Sequence, residues 1–271
     1  MFTISYIGSD RSLWHLDGPQ AGSEGVFLKS FSGFSGVRSR ASITGPGRVG
    51  VVRTGKPSAK NIEGTLSVVV SARVAGHGRR LPEILRSFRR AFSDSDGELE
   101  ITSSEGASLW LPVHLSDALP ELEASPFDGT VPWIEFDVDV ESDSIWRGVP
   151  RTYSGENQVL FNDGEVDAWP VITYTGSPTV SSNGVSIQLP STSVEAVFDT
   201  DPGKGGVISV GGTPNPALWS QLRGRTFPLP VPPSGNATWS FGAGSTAQLT
   251  PRYLDPVSYT HLRAHETRGN L

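Results

Sequence analysis

The sequence predicts an all-β protein built from two β-sandwich domains, the first with one α-helix packed on its sheet. Short segments in which apolar and polar residues alternate recur along the chain, as in strands with one buried face. The 31 glycines and 21 prolines fall between these segments rather than in one block, which is typical of many short turns. Seven tryptophans and twelve phenylalanines provide large side chains for a core, which excludes a disordered chain.

Strand patterns dominate residues 1–145. Phe2, Ile4 and Tyr6 alternate with polar residues at the start of the chain. The segment 133–143, WIEFDVDVESD, is the clearest strand, because from Ile134 on its apolar residues fall at even positions and its acidic residues at odd positions. Successive side chains of a strand point to opposite faces, so this segment is predicted to bury one face and expose a row of carboxylates on the other.

The segment 79–94, RRLPEILRSFRRAFSD, departs from the strand pattern. Its apolar residues recur at the three- and four-residue spacing of one helix face. Pro82 falls in the first turn, where its missing N–H has no helical partner to lose. Burial of the apolar face contributes about 1.5–3 kcal/mol for each large side chain before entropy is counted. The helix is therefore predicted to pack against a sheet.

A domain boundary is predicted near residues 147–157, RGVPRTYSGEN, which are polar and separate two strand-rich regions. The predicted domains are residues 1–148 and residues 149–256. The final residues 257–271 lose the alternation and gather histidines and arginines after a largely acidic chain. We expect this tail to be non-native, because it resembles translated sequencing-adapter sequence.

Composition narrows the function classes. The net charge of −6 argues against a protein that grips a nucleic-acid backbone or an anionic membrane surface. The chain has no cysteine, so disulfides and thiolate metal sites are excluded. We find no signal-peptide pattern and no apolar run near the roughly 20 residues of a membrane span. We therefore expect a soluble protein that is made in a cytoplasm and does not enter a membrane.

The row of carboxylates in segment 133–143 is the first candidate functional surface. It consists of Glu135, Asp137, Asp139 and Glu141. Carboxylates side by side on one strand do not flank a substrate as an acid–base pair does, which argues against catalysis. A solvated face and the wall of a pore or an oligomer interface both stay open.

The polar side of the predicted helix is the second candidate surface, with Arg86, Arg89 and Arg90. A solvated face, a subunit contact with an acidic neighbour and a phosphate-binding surface are the three interpretations. No Gly-x-Ser-x-Gly or HExxH motif is present. We therefore predict that the protein is not an enzyme, with no catalytic, cofactor-binding or metal-binding residues. Five aromatic residues could belong to the core or form a platform for sugars: Trp169, Trp219, Phe227, Trp239 and Phe241.

The spacing of strands and turns in residues 164–241 resembles that of one family. A Gly-led strand ends in Trp169-Pro170, a strand closes at Gly176, and a VEAVFDT strand ends in Asp199-Thr200. A Phe-Pro-Leu-Pro segment and a Ser-Gly-Asn turn then lead into a strand that contains Trp239. This order resembles the galectin-like C-terminal domain of siphophage distal tail proteins, the Dit family. The first half is similar in kind to the ring-forming domain of that family, with its Trp14-x-Leu16-x-Gly18 element.

The resemblance implies a structural function. Members of the family form a hexameric ring at the tip of the phage tail, which joins the tail tube to the host-adsorption apparatus. The implied partners are copies of the chain itself, the tail-tube protein, the tape-measure protein and tail-associated baseplate proteins. DNA is expected to pass through the lumen without specific binding. The implied location is the virion tail tip, after synthesis in the host cytoplasm. A carbohydrate-binding module that recognises host glycans is the alternative function.

Overall fold

The computed structural model describes residues 2–43, 52–73, 78–93, 96–104, 106–122, 132–222, 225, 227 and 230–256. In these residues the chain is mostly antiparallel β-sheet with little helix, which confirms the predicted all-β class. It divides into two compact units. The first contains the described residues up to Arg147 and residues 254–256, and the second is Gly148–Tyr253. The predicted non-native tail, residues 257–271, lies outside the described residues.

The first unit is an antiparallel sheet with one helix. Its elements are β1 (Phe2–Ile7), β2 (Leu13–Asp17), β3 (Val26–Ser32), β4 (Arg38–Ile43), β5 (Val52–Ala59), β6 (Ile62–Ser71), α1 (Leu81–Arg90), β7 (Gly97–Ser103), β8 (Ser108–Leu115), β9 (Trp133–Ser142) and β10 (Trp146–Arg147). The main sheet has the strand order β2-β1-β7-β8-β9-β6-β3. Within this unit β10 adds to β8, with Arg147 opposite Trp110.

Alternation along the strands divides the main sheet into an inward and an outward face. On β9, Ile134, Phe136, Val138 and Val140 are buried, as their even positions predict. The same alternation holds on β8, where Leu109, Leu111 and Val113 are buried. These side chains build a core on the inward face.

Helix α1 packs on that inward face, as predicted. Its buried residues are Leu81, Ile84, Leu85 and Phe88. The ring of Phe88 meets Trp14 of β2 edge to face at 5.1 Å and Phe136 of β9 at 6.2 Å. At the start of the helix, the carboxylate of Glu83 accepts a hydrogen bond from the backbone N–H of Arg80 at 3.2 Å, which satisfies a donor that the helix leaves unpaired. None of the helices in the described residues is long and apolar enough to cross a membrane.

Strands β4 and β5 form a separate two-stranded hairpin. They follow β3 and precede β6 in the chain, and in the described residues they pair with each other but not with the main sheet. At the base of the hairpin, the N–H of Lys60 donates to the carbonyl oxygen of Val37 at 3.0 Å.

The second unit is built from two antiparallel sheets. Its elements are β11 (Arg151–Ser154), β12 (Gln158–Asn162), β13 (Val171–Gly176), β14 (Thr179–Ser182), β15 (Val185–Gln188), β16 (Thr192–Asp199), β17 (Ile208–Val210), β18 (Thr213–Pro214), α2 (Pro216–Trp219), β19 (Gly235–Phe241), β20 (Ser245–Leu249) and β21 (Arg252–Tyr253), with short 3-10 turns at Pro202–Lys204 and Ser220–Leu222. One sheet has the order β11-β20-β13-β16-β17-β18 and the other β12-β19-β14-β15. Side chains from both sheets, such as Phe198 and Trp239, share one buried core. This is the arrangement of a β-sandwich.

The segment 164–170 differs from the prediction of a strand that ends in Trp-Pro. Its backbone forms one isolated bridge, between Ala168 and Val231, and is otherwise irregular. The buried amide of Asn162 donates to the carbonyl oxygens of Val166 at 2.9 Å and of Val231 at 3.0 Å. The prediction of a strand was wrong here because the backbone groups of the segment bond singly to several separate partners rather than along one neighbouring strand.

Candidate functional site

The carboxylates of β9 lie on the outward face of the main sheet. Glu135, Asp137 and Asp139 are exposed and Glu141 is half-buried. Their spacing follows from the strand, because alternate residues stand on one side and the buried apolar residues stand on the other. The structure therefore brings all four predicted acidic residues together in one row.

Hydroxyl groups of the neighbouring strand β6 donate hydrogen bonds to the two middle carboxylates of this row. Asp137 lies opposite Ser67 and Asp139 lies opposite Thr65 in the register of β6 and β9. The hydroxyl of Ser67 donates to Asp137 at 2.5 Å, and that of Thr65 donates to Asp139 at 2.7 Å. These bonds give each of the two carboxylates one hydrogen-bond donor from β6.

The two ends of the row meet basic groups. Lys29 of β3 forms an ion pair with Glu135. At the other end, the Nε2 atom of His114 lies 3.2 Å from Glu141, and its Nδ1 atom lies 3.6 Å from Asp96. Among the described residues, no ion pair joins Asp137 or Asp139 to a cation, so the centre of the row keeps its negative charge.

A surface groove of about 480 Å³ runs beside this row. Its lining includes five carboxylates, of Asp117, Glu121, Glu135, Asp137 and Asp139. The segment that forms one wall is held by Arg89 of α1, whose guanidinium donates to the carbonyl oxygens of Pro120 at 2.9 Å and Leu119 at 3.3 Å. Among the described residues, no group of three His, Asp or Glu side chains is placed to hold a metal ion.

The three arginines predicted as one surface have different surroundings. Arg86 and Arg90 are exposed, whereas Arg89 is half-buried and bonded within its own chain. Carbonyl groups of the segment 119–120 accept both bonds from Arg89, so its guanidinium positions the wall of the acidic groove. Arg86 and Arg90 are the members of the set that present their charge to the surface.

Two further carboxylates stand on the outward face, beyond those that the sequence pattern of β9 indicated. Glu98 and Glu100 of β7 lie opposite Pro112 and Trp110 of β8, on the same side of the sheet as His114 and the acidic row. The alternation of GELEI at the start of β7 was the available signal. Alternation does not show which strands become neighbours, so the sequence alone does not place these two residues beside the row.

Trp133 is a second functional candidate that the sequence pattern did not indicate. It stands on the outward face at the start of β9 with 50% of its surface exposed. Next to it on that face, Glu135 lies opposite Val69 of β6, which in turn lies opposite Phe27 of β3. One exposed aromatic ring therefore borders the carboxylate row, and exposed aromatic residues of this kind are common at protein interfaces.

The aromatic residues considered as a sugar platform belong mainly to the core of the second unit. Phe227, Trp239 and Phe241 are buried, and Trp169 is half-buried against the same core. Trp219 is 45% exposed, and its indole N–H donates to the carbonyl oxygen of Gly205 at 3.1 Å. The five residues therefore do not form one exposed platform.

The chain is similar over nearly its whole length to solved structures of phage tail proteins. The Dit protein (gp 19.1) of phage SPP1, a hub of the adsorption apparatus in phages that infect Gram-positive bacteria, aligns with a TM-score of 0.61 and 14% identity, covering 93% of this chain and 98% of that chain. The chain has the fold of a phage distal tail protein. The resemblance predicted from strand and turn spacing is thus confirmed at the level of the fold.

Two structures of the phage P2 baseplate in its activated conformation, one with Ca and one with Sr, also contain a chain that aligns with this one. Each aligns with a TM-score of 0.50 and 10% identity, covering 93% of this chain and 98% of that chain. No protein-family model and no curated protein matches the sequence. The likeness is therefore one of fold, in which few residues are shared.

Proposed function

We propose that the protein is a structural hub of a phage tail tip, a ring of copies of this chain that joins the tail tube to the host-adsorption apparatus. The observation that supports this most is the alignment of 93% of the chain with 98% of the SPP1 Dit protein, since both units take part in it. In this proposal the first unit forms the ring, as a tail-tube-like domain, and the second is a galectin-like domain that contacts other tail proteins.

The ring proposal includes the partners and the place of the protein. The chain assembles with itself, as a hexamer, and contacts the tail-tube, tape-measure and baseplate proteins. It is made in the cytoplasm of the bacterial host and is then incorporated into the tail tip of the virion. Its role is structural rather than enzymatic.

The outward acidic face supports a role within the ring in one of two ways. A conduit for DNA needs a wall that repels phosphate, and the central carboxylates Asp137 and Asp139 have no cation paired with them among the described residues. Alternatively the face is a subunit interface. The exposed arginines Arg86 and Arg90 of α1 provide a basic surface for a heterologous contact of that kind.

Imaging of virions tests the hub function. An antibody raised against the purified chain should label the tail tip in negative-stain images, and mass photometry of the concentrated protein should show a ring-sized species. Label on the capsid, or virions that contain no copy of the chain, would contradict the proposal. A monomer in solution combined with label at the tail tip would place ring formation at the stage of tail assembly.

Recognition of host glycans is the second candidate function, and the exposure of Trp219 favours it. An aromatic ring held by its N–H can stack on a sugar. A glycan array of the intact chain tests this, with Trp219→Ala as the variant and Phe161→Ala, which also removes a partly exposed ring of the second unit, as the control. Glycan binding that only Trp219→Ala abolishes would support the alternative. No binding, or equal loss in both variants, would count against it.

A further inference from the structure

The turn that follows strand β2 holds an aspartate against the backbone of the next residue. Asp17 is the last residue of β2 and is exposed, and the backbone N–H of Gly18 donates to its Oδ1 atom at 2.8 Å. A carboxyl C–O bond is only about 1.2 Å long, so the nitrogen of Gly18 also lies within contact distance of the Cγ atom of Asp17. A near-attack arrangement needs reacting atoms about 3–3.5 Å apart, and this turn comes close to that condition.

The backbone of Gly18 is both open to this contact and fixed in place. Gly18 has no side chain to shield its nitrogen, and its φ of +102° lies in the region that favours glycine. A Cβ added to Gly18 would lie 2.7 Å from Oγ1 and 3.1 Å from Cα of Thr3 on β1. The last torsion of an aspartate side chain is soft. A small rotation about the Cβ–Cγ bond of Asp17 therefore turns the face of its carboxyl group toward the waiting nitrogen.

The pair Asp163-Gly164, in the second unit, has the opposite arrangement. The carboxylate of Asp163 forms an ion pair with Arg151 at 2.6 Å. The backbone N–H of Gly164 donates instead to the Oδ1 atom of Asn162 at 2.9 Å. Both the carboxyl group and the nitrogen of this pair are thus held by other partners.

The pair Asp96-Gly97 also directs its carboxylate elsewhere. Asp96 lies 3.6 Å from the Nδ1 atom of His114. Gly97 is the first residue of β7 and pairs with β8, so its backbone is held in the main sheet. The one further Asp-Gly pair of the sequence, Asp128-Gly129, lies outside the described residues. The three described pairs share the same two residues and differ in geometry.

We propose that Asp17 is a site of spontaneous modification, at which the folded protein converts aspartate to isoaspartate. The nitrogen of Gly18 forms a bond to Cγ of Asp17, and its proton leaves as water with the hydroxyl of the protonated carboxyl group. A second water then opens the resulting five-membered succinimide. Opening at the backbone carbonyl carbon leaves isoaspartate, whose main chain runs through Cγ. The reaction needs no oxidant, reductant or cofactor, and the inference does not depend on the proposed hub function.

The modification changes the edge of the main sheet. Strand β2 is the edge strand and pairs with β1, where Asp17 lies opposite Ile4. Isoaspartate adds one methylene to the main chain immediately before Gly18, which packs against Thr3. Residue 17 then cannot keep its pairing with Ile4 while Gly18 keeps its contact with Thr3.

Ageing of the intact chain tests the site. The purified protein is incubated near neutral pH, and isoaspartate at each Asp-Gly pair is quantified by digestion, isoaspartyl methyltransferase labelling and mass spectrometry. We expect residue 17 to accumulate isoaspartate at least about ten-fold faster than residue 96 or residue 163, because a misplacement of reacting groups by about 1 Å can cost more than that. In concentrated urea the three pairs lose their fixed geometry, and their rates should become similar.

Asp17→Glu is the control variant, because it keeps the charge but would have to form a six-membered ring. It should remove the signal at residue 17 and leave the rates at residues 96 and 163 unchanged. All three sites are measured in one sample, and unfolding makes their rates similar, so a misfolded protein cannot imitate the expected result. Equal rates at the three sites of the folded protein would overturn the proposal. A rate at residue 17 that is lower in the folded protein than in urea would do so as well, since the turn would then protect the site.

Discussion

At the scale of single residues, buried donors in the first unit satisfy backbone groups that strand pairing does not reach. The indole N–H of Trp146 donates to the carbonyl oxygen of Phe34, 112 residues away, at 2.9 Å. The hydroxyl of Tyr6 donates to the carbonyl oxygen of Ala91, 85 residues away, at 3.0 Å. Burial raises the pKa of the Tyr6 hydroxyl, and the nearby carboxylate of Asp10 raises it further. The hydroxyl therefore keeps its proton and remains a hydrogen-bond donor. Such bonds fix segments that are distant in sequence.

Replacing Trp146 tests this role. Trp146→Phe keeps a ring in the core but removes the donor to Phe34, so a buried carbonyl loses its partner. We expect the free energy of unfolding to fall by about 1–3 kcal/mol, measured by urea unfolding. Trp133→Phe changes a half-exposed ring in the same way and should stay within about 0.5 kcal/mol. Equal losses in the two variants would show that the hydrogen bond of Trp146 contributes nothing specific.

A second prediction concerns Glu24, whose contribution to the free energy of unfolding depends on pH. Burial alone would raise the pKa of its carboxyl, but hydrogen bonds from the backbone N–H and ring of His15 and from Ser23 outweigh burial and lower that pKa. A pKa that is lower in the folded state contributes stability above the unfolded value, and this stability disappears as the pH falls through the folded value. Glu24→Gln should therefore destabilise the protein at pH 7 by about 1 kcal/mol.

The difference between wild type and Glu24→Gln should shrink as the pH falls through the lowered pKa of the folded wild-type carboxyl, because that carboxyl then also becomes neutral. Urea midpoints at pH 7, 5 and 3 measure it. Glu156→Gln, at an exposed site of the second unit, is the matched control and should have little effect at any pH. A Glu24→Gln difference that grows in acid would contradict the sign of the pKa change.

At the scale of elements, α1 is an amphipathic helix whose two sides make separable contributions. Phe88 is fully buried and contacts Trp14, Phe92 and Phe136. Phe88→Ala should lower the free energy of unfolding by about 3–5 kcal/mol, since it removes a large side chain from a packed core. Arg86→Ala, two positions earlier and exposed, should stay within about 0.5 kcal/mol. Urea unfolding of both variants measures this, and a small effect of Phe88→Ala would show that the helix is not part of the core.

Periodicity explains which elements the sequence could predict. Helix α1 and strand β9 each carry their own spacing of apolar residues, so both were predicted with their buried sides. The neighbours of β9 depend on pairings with distant segments, and local alternation contains no information about them. This is why Glu98 and Glu100 were missed. The half-buried position of Arg89 could not be predicted for the same reason, because the carbonyl groups that accept its hydrogen bonds lie about 30 residues further along the chain.

At the scale of the whole molecule, one of the two compact units is continuous in sequence and the other is not. The second unit is one continuous segment, Gly148–Tyr253, with its own buried core. The first is discontinuous, because residues 254–256 return to it. There the backbone N–H of Gly36 donates to the carbonyl oxygen of Leu254 at 2.6 Å. The chain on either side of the second unit therefore contributes to the stability of the first.

Expression of fragments tests this difference together with the predicted division into residues 1–148 and 149–256. We expect the fragment 148–253 to unfold cooperatively in urea by itself, because its core needs no residue of the first unit.

The fragment 1–147 should be less stable than the first unit of the intact chain, by about 1–3 kcal/mol, since the backbone N–H of Gly36 loses its acceptor and the side chain of Leu254 no longer packs beside Gly36. Leu254→Ala in the intact chain should reproduce the packing part of that loss but keep the backbone bond. A fragment 1–147 as stable as the intact first unit would show that residues 254–256 contribute nothing, and a fragment 148–253 without a cooperative transition would show that the predicted domain division is wrong.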